Sequence, residues 1–74
     1  RRLEDAANSA RTLNNIGINL KNLGRLEESR AALEEAHALF EAAGSQAGMA
    51  SALSNLALTF ERLGDHAAAE AHQR

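Results

Sequence analysis

The chain is 74 residues long, with 8 basic and 10 acidic residues, a net charge of −2, and no Cys or Pro. That balance offers no basic stripe for a nucleic-acid backbone, and the absence of Cys excludes disulfides, thiolate metal sites and thiol nucleophiles, in keeping with a reducing, cytoplasmic setting. No apolar run nears the roughly 20 residues that span a membrane, and no stretch reads as a signal peptide.

Arg1 to Glu4 read as the ragged end of a preceding helix or linker, and Asp5 is a good N-cap. From Ala6 the apolar and small residues Ala6, Ala10, Leu13, Ile16, Gly17, Leu20 and Leu23 fall on one face of a helix, which Gly24 ends. Gly17 sits inside this helix, where it costs about 1 kcal/mol relative to Ala, so another helix is expected to cross there. A second helix is predicted from Leu26 to Ala43, burying Leu26, Leu33, Ala36, Phe40 and Ala43, with Ala32 and Leu39 flanking. Its outer side is filled by Glu27, Glu28, Glu34, Glu35 and Glu41 with Arg30. Gly44 stops it and Ser45 caps a third helix, from Gln46 to Leu63, with Ala50, Leu53, Leu56, Ala57, Phe60 and Leu63 on its stripe and Met49 beside it. Gly64 is expected to stop that helix and Asp65 to cap a fourth, whose members Ala67, Ala68, Ala69 and Ala71 are small. Turns this short make consecutive helices antiparallel.

The chain repeats itself. Leu13-Asn14-Asn15-Ile16-Gly17-Ile18-Asn19-Leu20-Lys21-Asn22-Leu23-Gly24 recurs as Leu53-Ser54-Asn55-Leu56-Ala57-Leu58-Thr59-Phe60-Glu61-Arg62-Leu63-Gly64, forty residues on, with the kind of residue kept at all twelve places. Ala7/Ala47, Ala10/Ala50 and Ala31/Ala71 extend the offset. A fixed period of this size marks a helical repeat protein. The first repeat reads as residues 5–44 and the second as 45–74, within one unit spanning 1–74. Because there is no initiator Met and the pattern stops in mid-repeat, the sequence reads as a segment of a longer array. The open ends of such a segment are expected to self-associate, by stacking or by exchange of helices.

These residues resemble the tetratricopeptide repeat (TPR) family in a long-period form. The resemblance rests on Leu13, Ile16, Gly17 and Leu20 before a Leu-Gly turn, matched by Leu53, Leu56, Ala57 and Phe60. In the second helix a small residue follows five places after the Gly (Ser29; Ala69), and Ala36 packs late. The Leu-Asn-Asn-Ile-Gly and Leu-Ser-Asn-Leu-Ala segments are most similar to the kinesin-light-chain type and to the arrays of bacterial signal-transducing ATPase regulators. The Trp and Tyr positions of the 34-residue form are Leu here, and its closing Pro is absent. HEAT-like repeats share the period but do not ask for small residues at Gly17 and Ala57. The resemblance implies an all-α fold of antiparallel helix-turn-helix repeats stacked as a right-handed α-solenoid, with a peptide or partner segment in the concave groove and no catalysis.

On that concave face the expected partner-binding residues are Arg11, Asn14, Asn15, Ile18, Lys21 and Asn22 from the first repeat. Ser51, Ser54, Asn55, Leu58 and Arg62 are expected from the second, with Glu61 beside them. An Asn amide offers donor and acceptor together, so Asn15 and Asn55 would track a peptide backbone; the alternative is a hydrogen bond between repeats. Ile18 and Leu58 would form an apolar floor or pack between neighbouring first helices. The resemblance does not extend to the carboxylate clamp of chaperone-binding TPRs, which needs more Lys and Arg on the groove. His66 and Glu70 share a helix face at i, i+4, but their neighbours are Ala and supply no third metal ligand, so neither metal nor cofactor is expected. No nucleophile–base spacing or phosphate loop is present. The functional expectation is a protein–protein interaction module without enzymatic activity. The alternative is a structural, self-assembling or regulatory repeat segment of a larger protein with no peptide ligand of its own.

Overall fold

The computed structural model describes the backbone of residues 2–72 and the side chains of residues 4–65. Three α-helices follow one another: α1 (Arg2–Asn22), α2 (Leu26–Ala43) and α3 (Gln46–His72). The fold is all-α.

Glycine makes both reversals. Gly24 and Gly44 have φ of +83° and +71°, a left-handed backbone that other residues adopt only under strain. At Gly24 the helix end is closed by Arg25 N–H to Leu20 O at 2.8 Å and Gly24 N–H to Lys21 O at 3.0 Å. Gly44 repeats the pattern, with Ser45 N–H to Phe40 O at 2.9 Å and Gly44 N–H to Glu41 O at 3.0 Å. This is the Schellman arrangement, and it satisfies the last carbonyls of the helix within a three-residue or two-residue turn. The chain must therefore double back, and α2 packs on both α1 and α3. The caps at the helix starts differ. Ser45 Oγ accepts from Gly48 N–H at 3.1 Å, as expected for an N-cap, whereas Arg25 before α2 makes no side-chain cap.

Small residues let the helices approach closely. Ala10, Ala36, Phe40 and Ala52 form the centre of the core, with Leu13, Leu39 and Met49 packed around it. The expected crossing at Gly17 is made by α2: a Cβ on Gly17 would lie 2.5 Å from Leu33 Cγ. Gly48 plays the same part for Phe40, whose ring fills the space that a Cβ would need. All three helices meet at one buried polar point. Ser29 Oγ–H donates to Gly17 O at 2.7 Å and lies 3.2 Å from Thr59 Oγ1, which itself donates to Asn55 O at 3.0 Å. Each hydroxyl has one hydrogen, so the Thr59 hydrogen serves either Asn55 O or Ser29 Oγ, and no polar atom is orphaned. Outside, Arg30 bonds Glu27 at 3.0 Å and Glu34 at 2.8 Å. Its guanidinium is held above the usual arginine pKa chiefly by the Glu27 hydrogen bond, then by the Glu34 charge.

Three expectations need correction. Helix α1 starts at Arg2, so Asp5 is not a cap but lies with Glu4 in the first turn, where carboxylates favour the positive end of the helix. Gly64 does not stop α3, which runs on to His72. Gly24 turns because a long amphipathic α2 packs back on α1. After Gly64 the sequence supplies a run of Ala, which returns little buried area to a reversed chain but is the best helix former. Finally, the buried face of α3 is rotated. Ala52, Leu56 and Thr59 are buried and Leu63 half-buried, while Ala50, Leu53, Ala57 and Phe60 are exposed. On α1, Ile16 and Leu23 are likewise exposed. The fourth helix expected after Asp65 is thus absent from the described backbone, and the His66 and Glu70 side chains lie outside the described ones.

Candidate functional site

α1 and α3 carry the two copies of the Asn-containing segment, and both lie against α2. Their matched Asn-containing segments face each other along one side. Asn14 Nδ2–H donates to Ser51 Oγ at 3.2 Å, and Asn55 Nδ2–H donates to Asn14 Oδ1 at 3.4 Å and to Ser51 O at 3.1 Å. Further along, Arg62 Nη1–H reaches Lys21 O at 3.4 Å. The bonds of Asn14 with Ser51 Oγ and Asn55, and that of Arg62 with Lys21 O, tie α1 to α3, while the bond to Ser51 O lies within α3, so Asn55 spends its amide hydrogens within the chain. Its carbonyl oxygen makes no hydrogen bond among the described residues.

Asn15 differs from Asn55. It is exposed, and its side chain makes no hydrogen bond among the described residues. An open groove of ≈ 370 Å³ lies beside it, lined by Ala7, Arg11, Asn14 and Asn15 of α1, Phe40 of α2, and Ser45, Ala47, Gly48 and Ser51 from the turn into α3. Four of the residues expected to meet a partner thus line one groove: Arg11, Asn14, Asn15 and Ser51. The guanidinium of Arg11, one of these lining residues, is held against Asn8 Oδ1, one turn back.

The remaining expected residues do not line this groove. Ile18 is half-buried, Leu58 is 45% exposed, and Asn22, Ser54, Glu61 and Arg62 are exposed. Lys21 was expected on the open face but is only 7% exposed, with its stem packed in. No buried side-chain polar atom among the described residues lacks a partner, so its ammonium reaches water, the behaviour of a long cationic side chain laid over apolar surface.

Sequence reasoning missed the floor of the groove. Ser45, Ala47 and Gly48 belong to the turn and first turn of α3, and these three small residues were the signal: side chains this short leave a hollow beside Phe40. Among the described residues no three His, Asp or Glu side chains gather as a metal site, and no helix is long and apolar enough to cross a membrane.

Three antiparallel helices, with a forty-residue sequence repeat that places matched segments on α1 and α3, are consistent with a helical-repeat protein. Residues 8–74 match the tetratricopeptide repeat family, and the chain belongs to it. Tetratricopeptide repeats are in general protein–protein interaction modules. Comparison with curated proteins returns no match, and comparison with solved structures returns none either.

Proposed function

We propose that the chain is a non-catalytic interaction module that takes an extended or helical segment of a partner protein along the face shared by α1 and α3. The observation that carries this is the groove shared by Arg11, Asn14, Asn15 and Ser51, with an exposed Asn15 amide on its wall. That amide has a free donor and a free acceptor, the pair that a peptide backbone needs. Leu58 and Ile18 extend the surface with apolar area for a side chain, and Arg11 and Arg62 favour acidic residues in the segment. Repetition of the hairpin at the same offset would extend the face as a right-handed solenoid.

The test is peptide binding to the 74-residue chain and to Asn15→Ala. Because Asn15 makes no side-chain hydrogen bond among the described residues, its loss should leave helicity intact and weaken binding by about tenfold, the loss of one or two hydrogen bonds. Unchanged affinity would remove Asn15 from the site. Asn55→Ala is the contrasting variant, since it also loosens α1 from α3. A second reading, a self-assembling repeat segment, is favoured by the exposed Leu53 and Phe60 on α3.

A further inference from the structure

Among the described residues, Ser29 makes both side-chain hydrogen bonds that join α2 to its neighbours. One goes to Gly17 O of α1 at 2.7 Å, the other to Thr59 Oγ1 of α3 at 3.2 Å. Both residues are fully buried, and the other buried residues of α2, Leu33, Ala36 and Phe40, are apolar. The hydroxyl pair is no part of the repeat template. Forty residues away Ser29 is matched by Ala69, and Thr59 by Asn19, which is exposed on α1. Two contacts locate α3 on α2. Near its start Gly48 lies against the Phe40 ring, and further along Thr59 meets Ser29. At the rise of an α-helix these points are about 16 Å apart. Two points fix an angle where one would leave a pivot, and a swing of roughly 10° about Gly48 would carry Thr59 by about 3 Å. At the Thr59 end the direct ties between α1 and α3, Asn55 to Asn14 and Arg62 to Lys21 O, are both 3.4 Å, too long to set that angle themselves.

We infer that Ser29 and Thr59 are positioning residues for the partner-binding face: their buried hydrogen bond fixes the angle of α3 and so holds Asn55, Leu58 and Arg62 level with α1. Their role rests on the interaction module proposed above, whose face they hold from behind. Neither hydroxyl reaches the face, so both act through Asn55, whose backbone O accepts from Thr59 Oγ1 at 3.0 Å. The bonds close a circuit from Gly17 O through Ser29, Thr59 and Asn55 to Asn14, one turn from Gly17 on α1. The short bond to Gly17 O holds the Ser29 hydrogen, so the Thr59 hydrogen makes the link between α2 and α3, shared with Asn55 O. An apolar pair could fill the same volume. Apolar contact has no preferred direction, however, and a core loses its unique arrangement before it loses stability. The Asn15 groove, with Gly48 in its lining, stands at the pivot and would keep its shape. The Leu58 and Arg62 end would not.

The experiment compares Thr59→Val, which keeps the shape and removes the hydroxyl, with Thr59→Ser, which keeps the hydroxyl. Thr59→Val orphans no buried polar group, because Ser29 keeps Gly17 O and Asn55 O keeps its helical N–H. Its melting temperature should hold or rise. Thr59→Ser leaves a methyl-sized hole and should melt lower. The chain has no Cys, so spin labels can be placed selectively. Labels on Asn22→Cys with Glu61→Cys span the free end of α3, and labels on Ser9→Cys with Gln46→Cys span the pivot; all four sites are exposed. Dipolar EPR should show the distance between positions 22 and 61 broadened in Thr59→Val and as narrow as the parent's in Thr59→Ser. The distance between positions 9 and 46 should not change in either. A peptide selected on the parent chain from a display library should bind Thr59→Val about three- to tenfold more weakly, and Thr59→Ser as well as the parent, the reverse of the order of stability. Affinity that follows melting temperature, or a spacing in Thr59→Val as narrow as the parent's, overturns the positioning role and leaves the interaction module standing. A library that yields no binder overturns the interaction module and the positioning role with it. If Thr59→Val fails to fold, Ser29→Ala removes the same bond from the α2 side, and its spacing and affinity decide.

Discussion

Gly24 and Gly64 stand forty residues apart, each after a leucine, yet Gly24 turns the chain at φ +83° and Gly64 carries a helix straight through. The same substitution should therefore act with opposite sign. Gly24→Ala forces a side chain into the left-handed region and should destabilise by about 1–2 kcal/mol. Gly64→Ala meets nothing within 4 Å and should stabilise by up to about 1 kcal/mol through helix propensity. Thermal melts of the two variants beside the parent check this. A loss of helicity in Gly64→Ala would mean that Gly64 turns in solution.

Gly17 tests the helix crossing. Alanine there improves propensity by about 1 kcal/mol, but its Cβ would meet Leu33 at Cγ, the branch point, which cannot swing aside as a chain tip can. Overpacking of this kind costs about 1–3 kcal/mol, so Gly17→Ala should be net destabilising in urea unfolding. Adding Leu33→Ala should cost less than the sum of the two single changes, because the cavity accepts the new methyl.

The unequal caps predict another pair. Ser45→Ala removes the acceptor for Gly48 N–H and should cost about 1 kcal/mol. Arg25 offers α2 no cap and sets a cation at the positive end of the helix, while its 4.0 Å pairing with Glu28 lies on the exposed surface. Arg25→Asp should therefore stabilise by about 0.5–1 kcal/mol, read as a rise in melting temperature, since an exposed ion pair is worth little against a gained cap.

The architecture was legible because local chemistry agreed with it. Gly24 and Gly44 marked both turns, Leu33, Ala36 and Phe40 marked the inner face of α2, and Gly17 announced the crossing before any helix was seen to cross. The face of α3 was not legible. Its repeat template places Leu53 and Phe60 where α1 is covered by α2, but burial depends on whether a helix arrives, and a pattern of residues does not record that. Thr59 was hidden for another reason. A hydroxyl at a buried position reads as surface until Ser29 and Asn55 O are found beside it. The polar face between α1 and α3 was visible as two Asn at a fixed offset. Their difference was not, because only the register of α1 on α3 sets Asn55 against Asn14 and leaves Asn15 outside.

The most direct test of partner binding at the α1–α3 face is an amide chemical-shift map. Peptides selected on the 74-residue chain from an unbiased display library are titrated into labelled protein at a concentration where it is monomeric. The account predicts that the largest shifts fall on Arg11, Asn14, Asn15, Ser51 and Asn55, continuing toward Ile18 and Leu58. Shifts gathered on the Glu27–Glu34 side of α2, or on Leu53 and Phe60 with the Asn15 region silent, would contradict it.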